Sequence, residues 1–291
     1  MDNVNKNKFI PLDKSWIIRM GILDLIHGYK DINNFLANQD NLNDDLLALK
    51  RAVEIWDNDK PIDVGESGTL YRFLKFISWK LKLNKKFIIS GTLGDRGIND
   101  NPKIVELTQA ELLKLDNGTS QWASAAVLLG DTERLENPPY KLAMTYEAID
   151  HWNNQRQKGE VWTPKYDETI LKQAESFLEI LKNGEAKFLP KQAEDYCFAF
   201  AFSYITAGEG EKSWPSLRGH ESDRIKEMNE MLDRAKTGEE VSSKDHRVIQ
   251  AMAMWAKVKQ KEVRILYPKV VNKSWPQFWD FLESAAKEQS Q

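Results

Sequence analysis

Apolar residues recur at three- and four-residue spacing in at least six stretches of this chain, and a short polar cluster precedes each one. The first stretch covers residues 16–26, introduced by Asp13-Lys14-Ser15 and stopped by Gly28. The second covers 70–77, behind a glycine-containing turn at 62–69. The others are 122–129 behind Leu115-Asp116-Asn117-Gly118-Thr119-Ser120-Gln121, a pattern from Tyr140 through Met144 and Ile149 behind Asn137-Pro138-Pro139, 225–232 behind 217–224, and 248–255 behind Ser242 to Arg247. This period predicts amphipathic helices, with the polar clusters on their first turns. Two segments read as strands: 8–11, and 86–90 running into the flexible loop 91–97. Helices preceded by short strands at intervals of about 50 residues predict repeated α/β units.

The polar clusters matter because the first N–H groups of a helix lack intrahelical partners and carry positive partial charge, which suits an anionic ligand. Each cluster alone is also explained as an ordinary cap. Several such starts converging on one cleft would hold a multiply charged anion, and the Lys and Arg among them match phosphate and carboxylate groups. The densest cluster, residues 217–225, places Arg218, His220, Glu221, Asp223 and Arg224 around Ser222. It reads either as a solvated helix start with local ion pairs or as one wall of an anion site.

Composition narrows the alternatives. The 291 residues are 41% hydrophobic and 29% charged, so one large or two smaller soluble domains are expected. A net charge of −3 argues against a general nucleic-acid or membrane-surface binder, while leaving room for a small basic pocket. The single Cys excludes an internal disulfide, the first residues lack an apolar signal region, and the apolar run at 196–207 is too short to span a bilayer. A cytoplasmic protein is the expectation. The four His show no metal-ligand spacing, and no nucleotide phosphate loop, dinucleotide fingerprint or hydrolase elbow is present, so neither metal nor cofactor is expected. Cys197, inside an apolar run, reads as a buried inert thiol.

Taken in order, Lys14-Ser15 with Arg19, Gly65 to Thr69 with Arg72, Thr119-Ser120-Gln121, Pro139-Tyr140, Leu217 to Ile225, Asp245-His246-Arg247 and Lys273-Ser274-Trp275-Pro276 resemble the motif series of the 5-enolpyruvylshikimate-3-phosphate synthases. The resemblance covers residues 9–282 and implies an α/β (α+β) fold of repeated βαβαββ units in two halves, here 14–188 and 1–13 plus 189–291. It implies transfer of the enolpyruvyl group from phosphoenolpyruvate to the 5-hydroxyl of shikimate 3-phosphate, with release of phosphate. By position, Lys14, Gly68, Arg96, Gln121, Arg224, Arg247 and Lys273 would hold phosphoenolpyruvate. Ser15, Arg19, Thr119, Ser120, Gln121 and Tyr140 would hold shikimate 3-phosphate. Glu221 would handle the methylene proton and Lys14 would assist the leaving group. The implied partners are these small anions alone.

The chain departs from the family pattern at definite places. It is shorter, and a whole repeat, with the aspartate that serves as base for the 5-hydroxyl, has no counterpart around 208–216. His220 stands in place of the family lysine before the catalytic glutamate, Asn137 in place of a serine and Glu66 in place of an amide. An imidazole is only partly charged at neutral pH, so His220 is either a substitute base or the mark of a site that no longer turns over. Glu66 adds negative charge beside an anionic ligand unless a cation such as Arg72 pairs with it. Three readings follow: the shikimate enzyme, an enolpyruvyl transferase with another acceptor, and a non-catalytic anion binder.

Overall fold

The computed structural model describes residues 6–95, 97–116, 118–160, 163–219 and 222–288. Among these, fourteen α-helices run in the order α1 (Lys6–Phe9), α2 (Lys14–His27), α3 (Asp31–Ala37), α4 (Asp44–Ile55), α5 (Gly68–Lys80), α6 (Gln109–Leu112) and α7 (Gln121–Leu128), then α8 (Tyr140–Lys158), α9 (Glu168–Asn183), α10 (Tyr196–Ala201), α11 (Ala207–Ser213), α12 (Arg224–Thr237), α13 (His246–Val258) and α14 (Phe278–Glu288). Two strands, β1 (Ile62–Gly65) and β2 (Phe87–Ile89), form one parallel pair.

The expected fold of repeated βαβαββ units is therefore not what this chain adopts. Its motif-bearing helices form, but the sheets that would alternate with them do not. The segments between helices hold 3-10 turns, at Gly91–Leu93, Pro102–Glu106, Pro215–Leu217 and Pro268–Lys273, where repeated units would require paired strands. The strand expected at 8–11 is also overturned: α1 occupies its first half, and only Pro11 C=O is drawn into a backbone bond, from Asp167 N–H. Residues 62–65, read as part of a turn, are instead β1, because Ile62 and Val64 alternate into the core beside α4.

The chain divides into two compact units, Leu12–Lys165 and Met1–Pro11 with Tyr166–Gln291. Helix α9, counted by the sequence reading with the first half, falls in the second unit. Each unit has its own hydrophobic core.

In unit 12–165, α2 is buried over nine consecutive residues from Trp16 to Asp24, and every residue of α7 is buried. A helix buried on all sides is the centre of its unit rather than a surface element. Helices α3, α4, α5, α7 and α8 pack around α2. In the other unit α13 holds that central place, buried from His246 to Ala256 and packed by α9, α10 and α12. Asp13 caps α2 through Trp16 N–H, Ser67 caps α5 and Asp245 caps α13, each cap contributing about 1 kcal/mol. The central helices α2 and α13 are thus among those whose starts carry motif residues.

Candidate functional site

Within unit 12–165, side chains from the first turns of several helices meet. Lys14, first residue of α2, pairs with Asp45 in the first turn of α4 at 2.6 Å. Gln121, first residue of α7, donates from Nε2 to Thr69 Oγ1 in the first turn of α5 at 2.7 Å. Arg72, one turn further along α5, donates from Nη1 to Gln121 Oε1 at 2.8 Å and to the Gly68 carbonyl at 3.3 Å. Arg19 reaches from α2 to Thr145 Oγ1 at 2.7 Å, the Lys141 carbonyl at 3.0 Å and Ser124 Oγ at 3.5 Å, and closes on the Ser15 carbonyl at 2.7 Å. The starts of α2, α4, α5, α7 and α8 therefore lie at one end of this unit.

The two arginines there are internal struts. Arg19 is 1% exposed, and burial lowers its guanidinium to about 10, with Asp13 and Tyr140 opposing the shift. Arg72 donates from Nε to Asp116 Oδ2 at 2.6 Å, and Asp116 also accepts from Trp122 Nε1 at 2.9 Å and Asn99 N–H at 2.9 Å. Glu66, proposed as a partner for Arg72, instead accepts from Thr92 Oγ1 at 3.2 Å.

Electrostatics differ along this end of the unit. At the starts of α2 and α4 the carboxylates of Asp44, Asp45 and Glu66 gather around Lys14 and Arg51. Burial, then Asp45 and Glu66, push the Asp44 carboxyl above its usual range. The start of α7 carries no such carboxylate among its own residues: Thr119 Oγ1 accepts from Gln121 N–H at 3.4 Å, and Ser120 is the N-cap without a side-chain cap bond. Ser120 is 7% exposed, and its Oγ is buried with no hydrogen-bond partner among the described residues. A buried hydroxyl is ordinarily paired, so this one calls for a partner. Tyr140, first residue of α8, is 62% exposed. Arg96 lies outside the described residues.

The second unit holds its own cluster. Asp245 caps α13 by accepting from Arg247 N–H at 2.9 Å, and its second oxygen accepts from Arg224 Nε at 2.8 Å and Ser222 Oγ at 2.9 Å. Ser243 Oγ accepts from Asp245 N–H at 2.9 Å and donates to Glu227. The Arg247 guanidinium donates to the Glu194 carbonyl at 3.3 Å. His246 is buried, 3.9 Å from Asp245. Lys273 is half-buried at the end of a 3-10 turn, and the neighbouring Ser274 accepts from Gln250. Glu221 and His220 lie outside the described residues. Burial, then the nearby Asp245, push the Cys197 thiol up to about 12, which removes it as a nucleophile.

Of the expected phosphoenolpyruvate set, the Arg224 guanidinium pairs with Asp245, which also accepts from the Arg247 backbone N–H, while Lys14, Gly68 and Gln121 sit with the expected shikimate-phosphate set in the other unit. The sequence reading missed Asp45, Asp116, Ser124 and Thr145, the acceptors that engage its cations. Asp45 had a signal, as one of two consecutive aspartates opening an apolar-periodic stretch; Asp116 stood in the polar cluster before residue 122 with nothing to tie it to Arg72, and Thr145, distant in sequence from Arg19, had no signal. Among the described residues no group of three or more His, Cys, Asp or Glu is arranged to hold a metal ion, and no helix is long and apolar enough to cross a membrane. No protein-family model matches this chain, and searches of curated proteins and of solved structures return no match.

Proposed function

We propose that this chain binds a phosphorylated hydroxyl compound at the start of α7 and transfers to it the enolpyruvyl group of phosphoenolpyruvate, with shikimate 3-phosphate as the acceptor. The observation that carries the reading is Ser120: a buried Oγ with no described partner, at the first turn of a helix whose N–H groups favour an anion. The ordered motifs supply the reaction. A proton is added to the methylene carbon of phosphoenolpyruvate, the acceptor oxygen bonds to the adjacent carbon as its hydroxyl proton is lost, and phosphate leaves with its bridging oxygen and takes up that proton while a methyl proton is returned. Glu221 is the proposed carrier of that proton, and Lys14 the cation beside the departing phosphate. A cytoplasmic location fits small, charged, diffusible substrates.

Phosphate release, measured with both substrates present, tests the proposal. Turnover that disappears in Glu221→Gln and falls at least tenfold in Ser120→Ala supports it; no turnover by folded protein rejects catalysis. A second reading, binding without turnover, is favoured by one observation: Arg224 is engaged with Asp245 and Arg247 with the Glu194 carbonyl. Calorimetry that detects shikimate 3-phosphate binding in the absence of phosphate release selects that reading. Binding of neither substrate rejects both.

A further inference from the structure

Strand β2 is bonded on one side only. Its Lys86 carbonyl accepts from Ile62 N–H at 2.9 Å, its Ser90 N–H donates to the Gly65 carbonyl at 3.0 Å, and Ile88 is in register with Asp63 between them. Backbone groups alternate along a strand, so those of Phe87 and Ile89 point away from β1. No described residue bonds to them. Ile88 and Ile89 are 51% and 40% exposed. A two-stranded parallel pair with an apolar open edge is short of the three strands that ordinarily make a sheet stable, and such an edge is a template for another strand.

We propose that β2 pairs with β2 of a second copy of this chain, antiparallel and centred on Ile88, to give a four-stranded sheet across a twofold axis. This register places Phe87 of one copy opposite Ile89 of the other, so the four outward N–H and C=O groups of each copy are satisfied together. Ile88 then faces its own counterpart in a non-hydrogen-bonded pair, where side chains approach most closely. Charge selects the same arrangement. The exposed Lys86 comes opposite Ser90, beside Gly91, and the Glu66 carboxylate covers Gly91 so closely that a Cβ there would lie 1.6 Å from Oε1. A parallel arrangement would instead set Lys86 against Lys86. The two ends of this strand complement each other, and that names a second copy as the occupant. The strand is three residues long, so the association is at the weak end of protein contacts.

Sedimentation equilibrium on the full chain tests the proposal. A reversible dimer with a dissociation constant between about 10 μM and 1 mM is expected. Ile88→Lys, which sets two like charges face to face, is expected to weaken it at least tenfold. Ile89→Pro is expected to do the same, since it removes an outward N–H and leaves the β1 ladder intact. Ile88→Cys provides a second measurement: under mild oxidation it should form a covalent dimer, and the buried Cys197 does not compete. A wild-type chain that stays monomeric to about 1 mM, even if it captures a foreign extended peptide, overturns the proposal. So does a dimer that survives both Ile88→Lys and Ile89→Pro, or an Ile88→Cys chain that fails to cross-link.

Discussion

The two polar clusters use the same materials differently. In the unit of α12 and α13 one buried carboxylate, Asp245, gathers a backbone N–H, a guanidinium and a hydroxyl, and the loop before α12 is tied directly to the start of α13. In the unit of α2, α5 and α7 the work is divided. Arg72 has the carboxylate of Asp116, whereas Arg19 donates to neutral hydroxyls and carbonyls, and Ser120 Oγ has no partner among the described residues. A helix start whose acceptors belong to the protein is a staple. A helix start with an unmatched buried hydroxyl retains capacity for a ligand. The same residue types therefore do not mark the same function, and the acceptor opposite each cation decides between the two.

The most severe break in this comparison is Asp245→Ala. It takes the Asp245 carboxylate away from the Arg224 guanidinium and removes the cap of α13, so a loss of about 3–5 kcal/mol is expected in denaturant titration. If the loss stays below about 1 kcal/mol, Asp245 is not the hub of its cluster. Arg72→Met should cost less, about 2–3 kcal/mol, because Asp116 keeps its bonds from Trp122 and Asn99. Equal losses for the two variants would erase the distinction between a single hub and divided support. Ser120→Ala should change stability by no more than about 0.5 kcal/mol, since it deletes a hydroxyl without a described partner. Its phosphate affinity, read by calorimetry, should nevertheless fall at least tenfold; a large stability loss with unchanged affinity would make Ser120 a structural residue.

The smallest effect concerns pH. The Cys197 thiol, ordinarily at 9.0, sits at about 12 in the folded chain. Between these values the folded state holds a proton that the unfolded state has released, so stability falls as pH rises from 9 toward 12 and this contribution is fully present below 9. The fall should be shallower in Cys197→Ala, measured as the difference in denaturant midpoint at pH 8 and pH 10.5. Identical slopes in the two proteins would show that the thiol is not titrating from a buried position.

Much of the local structure was open to a reading of the residues. Asp13, Ser67 and Asp245 each precede an apolar-periodic stretch and each caps the helix that follows. The strand expected at 86–90 appears as Phe87–Ile89. The fold class was misread because motif order was taken to imply the sheets that accompany such motifs. Local period marks a helix start, but a strand needs a partner elsewhere in the chain, and among the described residues, 8–11 form no strand: 8–9 are helical and only a single backbone–backbone bond, from Asp167 N–H to the Pro11 carbonyl, is made beyond the helix. The candidate site was legible as residue types and opaque as geometry for a similar reason. Arg19 read as a ligand-binding cation and Arg72 as a motif residue able to pair with Glu66, and nothing near them in sequence announces Thr145, Lys141 or Asp116.

By itself, the sequence determined where six of the helices begin and that Cys197 is a buried, inert thiol. These follow from short-range forces: hydrogen bonds within one turn, the 3.6-residue period and the cost of burying a charge. Only the tertiary structure decided that sheets do not alternate with the helices, that Lys14 faces Asp45, that Arg224 pairs with Asp245, and that Ser120 is left with a hydroxyl unmatched among the described residues. Each of these depends on which distant residue supplies the complementary charge or hydrogen-bonding group. That choice is made by packing the whole unit at once, because a buried polar group is stable only when its partner arrives with it.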